Sequence, residues 1–273
     1  MPTLDRPDGI ELHWEERGDG PPVVLAAYWS MHPSSFEPLI GELENDYRVI
    51  AYHDRGTGSS TRTGPYDLET SASDLEAVIE GVAGPDTIVV ATADGSNRAV
   101  RVAARRPDLV RAVVTIGGAP VGRSAIGDFD AMVGSETVVD AFIAQTATNY
   151  RSALRGMLAA TNQQLDEDGL RARVAMQIEH SPADGAVERL RAWAADDATS
   201  PARDAGDRLW FLWAAGLGGG WFPDGEDYER MMRRELPDAH LVPVDDGFIS
   251  RPDQVAAVVR EITAPATAMA ERS

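Results

Sequence analysis

The chain has 273 residues, 25 basic against 44 acidic side chains, a net charge of −19 and no cysteine. That length suits one sizeable domain, or one domain carrying a large insertion. The missing cysteine excludes disulfides, thiolate metal sites and cysteine nucleophiles. Every basic residue is arginine, which excludes Schiff-base lysines, phosphate-loop lysines and lysine-held pyridoxal phosphate. The acidic balance repels nucleic acid and anionic membranes. Nowhere do 18 apolar residues run together, and residues 1–20 lack the basic-then-apolar pattern of a signal peptide. A soluble, cytoplasmic protein with no nucleic-acid or membrane partner is expected.

Residues 10–15 alternate apolar and polar, as a half-buried strand does. After the turn Gly18-Asp19-Gly20-Pro21-Pro22, the apolar run Val23 to Ala27 predicts a buried strand, residues 35–45 a helix, and Tyr47 to Tyr52 a second strand. Asp74 to Val82 has helical spacing, Thr87 to Thr92 is a third buried run, Asn97 to Arg106 a helix stopped by Pro107, and Arg111 to Ile116 a fourth strand. Short apolar runs separated by helix-length segments indicate a mostly parallel sheet flanked by helices, an α/β fold.

That alternation then stops. From Ala119 to Asp207 the pattern is helical, over 137–147, 151–160, 170–179 and 186–195. Strands resume at Leu209 to Trp213 and Leu241 to Val244, and a last helix covers 253–261. The expected organisation is a core of residues 1–118 and 207–273, interrupted by a helical lid at 119–206.

Four segments together resemble the α/β-hydrolase superfamily, over nearly the whole chain. The strand VVLAAYW stands where family members carry an apolar strand ending in His-Gly. YRVIAYHDRGTGSS is similar to the family's strand followed by an Arg-Gly-x-Gly-x-Ser loop, here Arg55-Gly56-Thr57-Gly58-Ser59-Ser60. TIVVATADGSNRAVRVAARRPDLVRAVVTIGG is similar to the strand, nucleophile elbow, helix and next strand, and VDDGFISRPDQVAAVV to the last strand, histidine loop and final helix. The resemblance implies a hydrolase-type fold, a lid over a small-molecule pocket, and a catalytic triad.

The triad is incomplete. An elbow needs small residues two positions either side of its nucleophile. Reading Thr92-Ala93-Asp94-Gly95-Ser96 as the elbow places Asp94 at the nucleophile position, as in the haloalkane dehalogenases and epoxide hydrolases of the superfamily. Centring it on Ser96 instead would put Asp94 and Arg98 at the small positions. The competing role for Asp94 is a helix cap. The loop where the family carries its general base, Val244 to Pro252, has no histidine, and no carboxylate follows Leu209 to Trp213 until Asp224.

Of five histidines, His53 and His32 follow strand ends on the ligand-binding edge of a parallel sheet, which makes His53 the candidate displaced base. Asp246, or Asp245, is a candidate acid–base partner sharing a proton with Asp94. Backbone N–H groups of Gly95 and of Tyr28 or Trp29 are the candidate oxyanion donors. Tyr28, Trp29, Gly95, Ser96, Trp221 and Phe248 are the expected binding residues, with Phe222, Phe129 and Phe142 as further aromatic lining. The ligand class expected is a small apolar or aromatic molecule. No cofactor and no metal is called for, and a homodimer is compatible with the sequence. Three readings stand open: a hydrolase built on Asp94, a non-hydrolytic enzyme or ligand binder, and a scaffold without catalysis.

Overall fold

The computed structural model describes residues 2–118, 120–122, 136–161, 165–214, 225–244 and 251–264. Eight strands form one sheet in the order β1-β2-β4-β3-β5-β6-β7-β8. They are β1 (Thr3–Asp5), β2 (Glu11–Arg17), β3 (Pro22–Ala26), β4 (Arg48–Tyr52), β5 (Thr87–Thr92), β6 (Val110–Ile116), β7 (Leu209–Ala214) and β8 (His240–Val244). β1 and β2 pair antiparallel, β2 runs antiparallel to β4, and the remaining strands are parallel.

The parallel strands are apolar on both faces because helices cover both. Along β3, Val23 and Leu25 face one hydrophobic cluster and Val24 and Ala26 the other, and β5 repeats this with Ile88 and Val90 against Val89 and Ala91. On one side pack α2 (Leu68–Val78), α3 (Asp94–Arg105), α8 (Thr199–Ala205) and α9 (Gly225–Glu235). On the other lie α1 (Glu37–Leu43) and α10 (Pro252–Thr263). Between β6 and β7 the chain runs through α4 (Glu136–Thr148), α5 (Tyr150–Thr161), α6 (Glu167–His180) and α7 (Ala183–Ala194) before α8. Tyr150, Leu154, Ala186 and Leu190 of this insertion join the same cluster as Tyr28 and Trp29.

Three elements escape the hydropathy pattern: β1, α8 and α9. Helix α2 also begins earlier than expected, at Leu68, where Asp67 caps it by accepting the Thr70 N–H at 2.8 Å. Among the described residues, no helix is long and apolar enough to cross a membrane.

Candidate active site at the strand–helix elbow

β5 ends at Thr92 and α3 begins at Asp94, so the whole reversal is made by Ala93 (φ 45°, ψ −120°). A side chain seldom adopts this left-handed backbone, and holding it costs about 1–3 kcal/mol. Close packing enforces it. A Cβ on Gly95 would fall 2.5 Å from the Ala26 carbonyl oxygen, and one on Gly118 would fall 2.4 Å from Ala93 Cα.

These facts correct the register expected from the sequence by one residue. An elbow carries its nucleophile on the strained turn itself. That turn is Ala93, flanked two residues away by Ala91 and Gly95, and a methyl group has no atom with which to attack. Asp94 is the first residue of α3, one position past the turn.

Asp94 is nevertheless the most unusual group in the region. Its side chain is 7% exposed, and its Oδ1 accepts the main-chain N–H of Trp29 at 2.8 Å. Burial pushes its carboxyl up to about 6, against the opposing pull of Arg98, whose Nη2 lies 3.9 Å away. Arg98 is itself buried and bridges the ends of two strands: one Nη donates to Asp54 and the other to the Ala27 carbonyl. A carboxylate–guanidinium–carboxylate chain therefore runs Asp94–Arg98–Asp54 beneath the elbow. The i, i+4 spacing of Asp94 and Arg98 on a helix was the sequence signal for it.

The correction also moves the oxyanion donors. In an elbow these are the N–H of the residue after the nucleophile and an N–H from the loop after β3. The N–H groups at the matching positions are those of Asp94 and Trp29, and the second is already taken by the Asp94 carboxylate. Gly95 serves close packing instead, and Ser96 is fully buried with no partner for its hydroxyl among the described residues.

Above the elbow the Trp29 ring meets Phe142 at 6.2 Å, Tyr150 at 6.3 Å and Tyr28 at 6.5 Å between centroids. Gln177 donates to Tyr28 Oη at 2.9 Å, tying α6 to the loop after β3. Buried Arg189 of α7 donates to the Trp29 carbonyl at 3.0 Å, the Arg55 carbonyl at 3.0 Å and Ser181 Oγ at 2.6 Å.

His53 does not join Asp94. Among the described residues no hydrogen bond links them; the His53 Nδ1 accepts the Ser59 N–H at 3.0 Å, and its ring faces His32 and His180. Burial and the neighbouring imidazoles hold His53 down to about 4, so it stays neutral. Trp221, Phe222, Phe248, Phe129, Asp245 and Asp246 lie outside the described residues. Among the described residues, no group of three His, Asp or Glu side chains is arranged to hold a metal ion.

The family model for the alpha/beta hydrolase fold matches residues 21–216. The chain belongs to this family. It is 30% identical over 191 residues to the 2-(acetamidomethylene)succinate hydrolase of Mesorhizobium japonicum, a match spanning 68% of this chain and 64% of that protein. It is 29% identical over 123 residues to a non-heme haloperoxidase of Rhodococcus erythropolis, covering 44% of this chain and 45% of the relative. The chain thus matches less than two thirds of the length of these relatives. Among solved structures, an esterase from Exiguobacterium antarcticum superposes with a TM-score of 0.80 at 22% identity, covering 96% of this chain and 99% of that one. An E-2-(acetamidomethylene)succinate hydrolase superposes with a TM-score of 0.73 at 21% identity, covering 96% and 97%. These superpositions establish the α/β-hydrolase architecture.

Proposed function

We propose that this α/β-hydrolase-family protein handles a small apolar or aromatic molecule without a covalent nucleophile, with Asp94 as its acid–base group. Residues 119–206 serve as a lid on a core of 1–118 and 207–273, and the ligand lies beneath it beside Trp29. The reading rests on one observation: the elbow turn is Ala93, while the carboxylate next to it is buried and accepts the Trp29 N–H. A buried carboxyl pushed up to about 6 exchanges a proton readily at physiological pH, which suits isomerisation, cyclisation or elimination. No cofactor enters this chemistry, and the setting is cytoplasmic.

The test exposes wild type and Asp94→Asn to aryl esters, epoxides and haloalkanes, with intact-mass analysis, and titrates both with a naphthol while following tryptophan fluorescence. Expected are no turnover, no adduct on Asp94 and saturable naphthol binding. Turnover abolished by Asp94→Asn, or an alkyl adduct on residue 94, would establish an aspartate-nucleophile hydrolase instead. Absence of saturable binding would remove the aromatic ligand.

A further inference from the structure

Three imidazoles meet where the helical insertion lies on the core. His32 comes from the loop after β3, His53 from the first position beyond β4, and His180 is the last residue of α6. Their ring centroids are 6.1 Å (32–53), 4.6 Å (32–180) and 5.1 Å (53–180) apart. The backbone closes at the same point, where the Gly58 N–H donates to the His180 carbonyl at 2.7 Å. Gly58 sits at φ +50°, and a Cβ there would fall 2.3 Å from His53 Nδ1 and 2.9 Å from His180 Cε1.

None of the three rings has a place for a second proton. His53 Nδ1 accepts the Ser59 N–H at 3.0 Å, and His32 Nδ1 accepts the Ser34 N–H at 3.0 Å. A neutral imidazole that accepts at Nδ1 carries its proton on Nε2. The next proton must land on Nδ1, where it sets donor against donor and breaks the bond. Among the described residues His180 Nδ1 is buried with no partner, so a proton there would be an unpaired buried donor.

Glu15 and Glu179 favour the charged form of His32, and Asp54 that of His53, but burial outweighs all three. Glu15 and His13 face it from β2, Asp54 from beside His53, Arg62 from the loop after β4, Arg173 and Glu179 from α6, and Arg189 from α7. Asp54 is engaged by Arg98, and Arg62 spans the carbonyls of Gly58 and Glu179. Arg173 donates to Ser35 Oγ, and Arg189 to main-chain carbonyls and Ser181 Oγ. Among the described residues, no carboxylate is hydrogen-bonded to any of the three rings.

We propose that the His32–His53–His180 cluster is an acid-operated latch: neutral, it holds the α6–α7 corner on the core, and protonated, it releases that corner. Burial is the leading reason that all three resist protonation in the closed state, with His53 held to about 4 and His180 to about 2. In the released corner each imidazole returns to its ordinary value near 6.5, so each favours opening by up to about tenfold per pH unit below that value. The latch is independent of whatever chemistry Asp94 performs.

Hydrogen exchange, corrected for the intrinsic pH dependence of the rate, tests it on the full chain. Between pH 7.5 and pH 5, protection of residues 167–194 should fall by at least about tenfold, while β3, β5 and β6 keep theirs. A His32→Asn/His53→Asn/His180→Asn variant retains backbone acceptors without a titratable charge and should lose this response. The Asp94→Asn variant, which removes a buried carboxyl pushed up into this range, should keep it. Protection unchanged by pH, a response that survives the triple replacement, or one that Asp94→Asn abolishes would overturn the latch. If the triple variant does not fold, wild type carries the same test through the ring resonances of these histidines. Their titration midpoints should coincide with the loss of protection, and midpoints more than about one pH unit away would overturn it.

Discussion

The carboxylate of Asp94 accepts the N–H of Trp29, a residue 65 positions earlier in the chain, at 2.8 Å. In a working elbow that N–H faces a developing oxyanion. Here a side chain of the protein occupies it, next to a turn whose own side chain is a methyl group. Donor, turn and helix start are all present, and the turn itself carries no nucleophilic atom.

Changing Ala93 separates backbone from chemistry. Ala93→Gly relieves the left-handed turn and should raise stability by up to about 1 kcal/mol in urea denaturation. Ala93→Ser places a hydroxyl on the turn with no histidine to activate it. It should remain unlabelled by a fluorophosphonate under conditions that label a serine esterase completely. Rapid labelling would reveal a base in the residues near the elbow.

Asp94→Asn should change stability in a pH-dependent way. The folded-state value, about 6, lies above the ordinary 3.8. The native form therefore holds the proton more tightly, and stability from this group is full below pH 3.8 and lost as pH rises through 6. Asparagine stays neutral and keeps an acceptor for Trp29. Relative to wild type, the variant should gain on the order of 1–3 kcal/mol between pH 4 and pH 8. Parallel stability curves for the two proteins would show that Asp94 does not titrate there.

Arg98→Met should be strongly destabilising. It leaves Asp54 and the Ala27 carbonyl without their shared donor, and removing one partner of a buried ion pair costs about 3–5 kcal/mol. Arg98→Met/Asp54→Asn should recover part of that loss. Additive losses in the double variant would mean that the two side chains are not coupled.

Gly95→Ala tests the close approach of α3 to β3. Its new methyl would meet the Ala26 carbonyl, a main-chain atom that cannot swing away, 2.5 Å from the Cβ position. A loss of about 1–3 kcal/mol is expected from the forced backbone shift. A fully stable variant would mean that the strand–helix junction opens easily.

Much of this architecture was legible in the sequence because buried strands announce themselves: Val23 to Ala27 and Thr87 to Thr92 are apolar on both faces and bounded by turns. β1 is too short for a period, and α9 is rich in charge, so hydropathy marks neither. The elbow lies one residue before the position that its chemistry suggests. Ala91 and Gly95 satisfy the small positions on either side of Ala93, but the methyl side chain of Ala93 gives no chemical mark of the turn, whereas the carboxylate of Asp94 does. Backbone φ, which composition does not encode, decides the register. The pairing of Trp29 with Asp94 and the meeting of His32 with His53 and His180 depend on loops brought together by the sheet, and no local pattern carries them.

The polar ties of the insertion span long stretches of chain: Arg189 reaches Arg55 across 134 residues and Trp29 across 160. Contacts this distant close large loops, and their entropy is recovered only once the intervening chain is ordered. Until residues 180 and 189 arrive, Gly58 has no carbonyl to bind, and the Trp29 and Arg55 carbonyls lack their buried donor. The loops after β3 and β4 therefore have these partners only while the insertion is docked on the core. On this chain, the shape of the site depends on a segment far from it in sequence.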